Sequence, residues 1–349
     1  MGKKICVMGA GGIGGNLAGH LALGGQDVTI VDHWAAHVEA IKTAGLKISD
    51  AGHAYVVHPR ALHVGEAWAV GEIDILILGV KAYDNDWAVA LLKPYLQPDA
   101  IVISAQNGVQ EERLAELVGY GRVIGAVVAL AGETLEPGHV KLSTPQGRLI
   151  IGELHGRITP RLEALSDLFQ NAIQAPMTTN VWGELWSKLI LNTMSNPING
   201  VLNGKSKDVK VKPGPRRVSL QAAAEAARVG LALGYDIPPI SLGNIEVKRF
   251  VKAAQGEGYE ELDREVEATG PLLGDFYGSM PLDMRRGRKT EVDSFSGYVV
   301  AKGREIGIPT PVNQAVYRLV LEIEAGRLQS GPEHLQTLLA ACDGVSSAR

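Results

Sequence analysis

A doubly wound α/β domain followed by an all-α domain is the architecture that these 349 residues predict. Three observations carry the prediction. A short apolar strand runs straight into a glycine cluster at the N-terminus, strands and helices alternate through the first half, and the apolar spacing becomes helical from about Trp182 onward. The chain is long for one core, and 46% hydrophobic residues suffice to bury two. The expected division is a sheet domain over 1–179 and a helical domain over 180–349, with the boundary near Thr178-Thr179-Asn180.

The first element is the strand Lys3–Met8, followed by Gly9-Ala10-Gly11-Gly12-Ile13-Gly14 and a helix whose apolar face carries Ile13, Leu17, Leu21 and Leu23. Strand, GxGxxG and helix in this order form a Rossmann dinucleotide fingerprint. The first glycine makes the turn, the second admits the pyrophosphate, the third lets helix and strand pack closely, and the helix N-terminus holds the phosphate charge. The next strand, Val28–Val31, ends at Asp32, close to the spacing of about 20 residues expected of a ribose-binding carboxylate. A carboxylate accepts from a free ribose and repels the extra phosphate of NADP. His33 and Trp34 supply no basic clamp, so NAD(H) is favoured, with NADP(H) the alternative. The structural reading of Asp32 is a cap on the following helix.

Asp74–Val80 and Ile101–Ser104 read as buried parallel strands. Each ends in a polar set, Lys81-Ala82-Tyr83-Asp84 and Gln106-Asn107-Gly108, where ligands of such sheets bind. Singly, Lys81 is an ordinary surface lysine and Asn107 a turn residue. At equivalent strand ends they mark a site near the nicotinamide half of a dinucleotide. Further strands are expected over Val123–Val128 and Arg148–Ile151, with a turn at Glu136-Pro137-Gly138.

In the second half, Trp182–Pro197 places Lys188, Asn192 and Asn196 four residues apart, on one stripe of an otherwise apolar helix. A buried ammonium and two buried amides need partners, and a small oxygen-rich substrate would supply them. Pro197 disfavours helical geometry at Asn196, so a kink or an end is expected there. Helices are also expected over Val218–Leu233 and Pro311–Ala325, while 331–349 is expected to fray toward its small, polar end. The basic stretch Lys205–Arg217 reads as a solvated loop, because proline and glycine interrupt it and no aromatics interleave the charges.

A net charge of −4 argues against a dedicated nucleic-acid binder. Two cysteines, Cys6 and Cys342, make no disulfide framework and fit a reducing compartment. No apolar run reaches the roughly 18 residues of a membrane span, and the N-terminal hydrophobic run is too short for a signal peptide. A cytoplasmic protein without membrane partners is expected. The nine histidines show no HExxH spacing, and no metal is expected.

Taken together, the N-terminal GxGxxG, Lys81 and Asn107-Gly108 at strand ends, Lys188-x3-Asn192-x3-Asn196-Pro197, and the block from Ser279 through Asp283, Glu291 and Asp293 to Gly297 resemble the ketopantoate reductases (2-dehydropantoate 2-reductases) over nearly the whole chain. The resemblance implies reduction of a 2-keto acid by a nicotinamide cofactor, with Lys188 giving a proton to the ketone oxygen. It further implies that Asn192 and Asn196 hold substrate and that Ser279 holds the substrate carboxylate. Ser206 falls at another substrate-contacting position, and Asn107 at one that serves both substrate and cofactor. Glu291 would lie beside the nicotinamide ribose and the lysine, and Gly9–Gly14, Lys81 and Ala131 match cofactor contacts. A homodimer is expected by analogy, the helical domain supplying the interface.

Two departures from the pantoate-forming pattern stand out: Asp32, since those enzymes usually prefer NADPH, and enlarged segments at Lys205–Arg217 and Ile245–Gly270. They leave open an NAD-dependent D-2-hydroxyacid dehydrogenase on the same scaffold. An NAD(H)-sensing module or a structural protein with a vestigial cofactor site would explain the glycines, but not the lysine–asparagine stripe.

Overall fold

The computed structural model describes residues 2–50, 52–144, 147–170 and 172–346. They fall into two units, Met1–Val181 and Trp182–Arg349. The first opens with β1 (Lys4–Met8), α1 (Gly14–Leu23), β2 (Asp27–Asp32) and α2 (Ala35–Ala44). Three short strands follow, β3 (Leu46–Ser49), β4 (Ala54–Val57) and β5 (Arg60–His63), then β6 (Ile73–Leu78), α3 (Asn85–Leu92), β7 (Leu96–Ser104), α4 (Glu111–Val118) and β8 (Val123–Ala129). The unit finishes with β9 (Gly132–Glu136), β10 (His139–Leu142), β11 (Arg148–Glu153) and α5 (Pro160–Gln170).

Six strands lie parallel in the order β5-β2-β1-β6-β7-β8, and β11 closes that edge antiparallel to β8. This is the doubly wound order, reversing between β1 and β6, so the carboxyl ends of those two strands flank the crevice where such sheets take ligands. Residues of β1 and β6 are buried on both faces, as covered parallel strands require: Val7, Met8, Leu76, Ile77 and Leu78 are each at 0% exposure.

A second sheet, β4-β3-β10-β9, was not legible in the sequence. Its strands are four or five residues long and β4 is exposed at three of four positions, so no alternation marks them. The turn expected at Glu136–Gly138 is the β9–β10 connection, with Gly138 at φ +78°.

The second unit is helical: α6 (Val181–Thr193), α7 (Asn196–Val201), α8 (Asp208–Val211), α9 (Pro213–Ala232), α10 (Val247–Ala254), α11 (Tyr259–Thr269), α12 (Ser279–Arg285), α13 (Ser296–Glu305), α14 (Pro311–Glu324) and α15 (Leu335–Ser346). The alanine-rich α9 is its axle, packed by α8, α10, α14 and α15. Its small residues allow close approach: a Cβ on Gly230 would stand 2.6 Å from the Trp186 ring.

One expectation is corrected here. Lys205–Arg217 is not a solvated loop. It contains α8 and the first turn of α9, and Lys210 and Arg216 are 0% and 5% exposed. Lys205 and Lys207 pair with Asp275, while the Arg216 fork grips Asp263 at 2.7 and 2.8 Å and reaches Glu267. Local sequence shows cations and helix breakers; the carboxylates that make burial of Arg216 tolerable come from α11, and the one that pairs Lys205 and Lys207 comes from the segment after it. Ahead of the end that the sequence expects to fray, α15 packs against α9 and α14 and buries Leu338 and Cys342. Residues 347–349 lie outside the described residues.

Candidate active-site residues

The glycine loop is fixed from several sides. Gly9 turns at φ +92° against Gly79 and Val80, where a Cβ would come within 2.6 Å of the Val80 nitrogen. A Cβ on Gly14 would lie 2.0 Å from the Gly9 oxygen, which is the close packing of α1 on β1 that the fingerprint anticipates. Gly12 abuts the backbone of Gly132, at 2.2 Å from its oxygen by the same test. Gly11 differs: nothing lies within 4 Å of where its Cβ would be. The loop therefore leaves an open face at Gly11 beside the first-turn amides of α1, which suits a pyrophosphate. Ala10 is fully buried and Ile13 is the residue before α1.

Asp32 sits at the end of β2 at 6% exposure and accepts from the Ala10 N–H at 2.6 Å and the Trp34 N–H at 2.7 Å. It ties the glycine loop to the β2 end rather than capping α2, whose first-turn amides of His37 and Val38 bond the Trp34 carbonyl. Two acceptor sites of about four are used, leaving capacity for ribose hydroxyls.

Lys81 follows β6 and Asn107 follows β7, both partly exposed. A buried network that sequence reasoning missed joins these two strand ends. Gln106 donates to the Val80 carbonyl and to Asn85 Oδ1, each at 2.7 Å, and accepts from the Ser104 hydroxyl at 2.9 Å. Gln110 donates to the Asn107 carbonyl at 3.2 Å. The signal was Gln106, a polar residue at a buried strand end. Ala131, exposed after β8, donates to Thr144 Oγ1 at 2.6 Å.

In the helical unit, Lys188 and Asn192 lie one turn apart on α6. The Lys188 side chain keeps partial surface exposure while its amine is enclosed. Burial pulls its pKa down to about 8, and the Glu291 carboxylate opposes the shift. Glu291 is itself buried, at 7% exposure. The Asn192 amide nitrogen is buried without a hydrogen-bond partner among the described residues. The helix breaks at Ser195, one residue before the expected position, and α7 restarts at Asn196 with Pro197 in its first turn. The break turns Asn196 onto the start of α12: its Oδ1 would lie 2.5 Å from a Cβ on Gly278, the residue before Ser279. Ser206 joins the same segment through its N–H to the Phe276 carbonyl, 2.9 Å. Within this unit the structure thus gathers Lys188 with Glu291, and Asn196 and Ser206 with the Ser279 segment.

The family model described as ketopantoate reductase PanE/ApbA matches residues 5–156, and the model of its C-terminal part matches 180–324. The 2-dehydropantoate 2-reductase of Mesorhizobium japonicum is 30% identical, over 93% of this chain and 99% of the relative. The crystal structure of a PanE/ApbA family ketopantoate reductase from Ralstonia eutropha JMP134 superposes with a TM-score of 0.78 at 28% identity, covering 93% of this chain and 99% of that one. A D-mandelate dehydrogenase structure with NADH and anilino(oxo)acetate shares the fold at a TM-score of 0.80 and 21% identity, covering 93% of this chain and 99% of that one. By its domains and its relatives, the chain belongs to the PanE/ApbA ketopantoate reductase family and is an NAD(P)-linked oxidoreductase of the 2-keto/2-hydroxy acid class.

Proposed function

We propose that this protein reduces a 2-keto acid of the ketopantoate kind to the 2-hydroxy acid, uses NADH in preference to NADPH, and takes the proton from Lys188. The observation that carries the reading is an enclosed lysine whose pKa lies near 8, facing the charge of Glu291 and one turn from the Asn192 amide nitrogen, which is buried without a hydrogen-bond partner among the described residues. A reduced nicotinamide, when bound, supplies the hydride that leaves negative charge on the ketone oxygen. The residues to hold the dinucleotide are the Gly9–Gly14 loop, Asp32 for the adenosine ribose, and Lys81, Asn107 and Ala131 along the strand ends. Protonated Lys188 polarises the carbonyl and then donates its proton. Glu291 keeps the amine protonated near neutral pH against the cost of burial. Asn192 and Asn196 orient the substrate, with Ser206, and Ser279 receives its carboxylate.

A second reading, oxidation of a D-2-hydroxy acid with NAD, draws on Asp32 and uses the same residues with Lys188 as base. The two directions separate by pH. Reduction needs the ammonium and falls about tenfold per pH unit above the lysine pKa of about 8, whereas oxidation rises through the same value. The test is NADH and NADPH oxidation against a panel of 2-keto acids, ketopantoate first, with Lys188→Ala beside the wild type. The variant should lose about 10²–10⁴ in turnover while still binding dinucleotide. Unchanged turnover removes Lys188 from the mechanism, and NADPH-selective turnover removes the Asp32 argument. We also infer a homodimer, which light scattering checks directly.

A further inference from the structure

We propose that His37 is a positioning residue that aims the Gly11 N–H at the cofactor pyrophosphate, a role that rests on the dinucleotide reading above. His37 lies on α2, outside the fingerprint, and is 1% exposed. Its Nδ1 is 2.9 Å from the Gly138 nitrogen in the β9–β10 turn, and its Nε2 is 3.0 Å from the Ala10 oxygen. A backbone N–H can only donate, so Nδ1 accepts, Nε2 carries the ring proton, and that proton goes to the Ala10 carbonyl. Both nitrogens are thereby used in the neutral ring, which agrees with burial holding the His37 pKa below its ordinary value although Asp32 opposes it. Trp34 stacks on the imidazole at 5.4 Å and 9° and fixes its plane.

The consequence follows from peptide geometry. Ala10 has its N–H held by Asp32 and its carbonyl held by His37, so the planes on both sides of its Cα are set. In a trans peptide the carbonyl and the following N–H point in opposite directions. Pinning the Ala10 oxygen toward His37 therefore turns the Gly11 N–H the other way. Gly11 is also the loop glycine whose missing side chain faces open space, where a phosphate oxygen can approach. The β9–β10 hairpin thus reaches the loop twice, through Gly132 against Gly12 and through Gly138 and His37 to Ala10.

The test separates the two ring nitrogens. A glutamine at this position retains a donor near the Nε2 site, whereas an asparagine retains only an acceptor near the Nδ1 site. NADH affinity is measured by fluorescence titration for wild type, His37→Gln and His37→Asn, with thermal midpoints alongside. We expect His37→Asn to weaken NADH binding about 10- to 100-fold, as loss of one charge-assisted hydrogen bond would, and His37→Gln to stay within about threefold of wild type. Equal losses in both variants, or undiminished binding by His37→Asn, overturn the proposal while leaving the dinucleotide reading intact. A wild type that binds neither NADH nor NADPH overturns both. Should the variants not fold, nitrogen NMR of wild-type His37 decides: an Nε2–H tautomer supports the assignment and an Nδ1–H tautomer overturns it.

Discussion

Lys210 should be worth more to the protein as a methionine. Its amine is fully buried, has no hydrogen-bond partner among the described residues, and is drawn by burial from 10.5 down to about 7. At about 1.4 kcal/mol per tenfold, keeping that amine inside costs on the order of 4 kcal/mol near neutral pH relative to a solvated lysine. Methionine keeps the length and most of the volume without the charge. Allowing for imperfect repacking, Lys210→Met should stabilise the helical unit by about 1–3 kcal/mol at pH 7. The sign with pH follows from the depressed folded-state pKa. Between about 7 and 10.5 the unfolded chain binds the extra proton, so wild-type stability climbs with pH across that window and the variant lacks the climb. Urea melts of both proteins at pH 7 and pH 10, read by far-UV circular dichroism, should show a gap that is wide at the lower pH and nearly closed at the higher. A variant less stable than wild type at pH 7, or a gap indifferent to pH, refutes the reasoning.

Other substitutions test neighbouring arguments. Gly12→Ala forces a Cβ to within 2.2 Å of the Gly132 oxygen, backbone against backbone, and should weaken NADH binding about tenfold or more in fluorescence titrations. Arg216→Lys keeps a charge but loses the fork that holds Asp263 and Glu267 and caps the Lys210 and Val211 carbonyls, and should cost about 1.5–3 kcal/mol by chemical denaturation. Cys6 and Cys342 are buried, and burial pushes both thiols up to about 12, so a colourimetric thiol reagent should find neither until denaturant is added.

What the sequence disclosed was what it wrote locally. Gly9–Gly14 is contiguous and set between a strand and a helix, and the four-residue spacing of Lys188 and Asn192 needs only helical periodicity, so both could be read without coordinates. Residues whose character depends on distant partners could not. Arg216 is 47 residues from Asp263 and 51 from Glu267, and the composition around it spells a loop. His37 is 101 residues from Gly138, and an isolated histidine on an amphipathic helix gives no hint that it props the glycine loop. The Gln106 network escaped notice for a milder reason: Asn107 beside it carried the more familiar pattern. The same limit explains the missing second sheet, since strands of four residues are recognisable chiefly by what they pair with.

That sheet sets a schedule for synthesis. Lys47 registers in parallel with His139, so the partner of β3 lies far downstream and cannot emerge until most of the first unit has left the ribosome. Until then one edge of β3, the strand that carries the buried Leu46 and Ile48, stays open to other strands. Closing so long a loop is entropically slow. A pause before His139 has left the ribosome would therefore prolong the interval in which this stretch is most prone to aggregate, whereas a pause once Leu142 is outside would let the hairpin seal it.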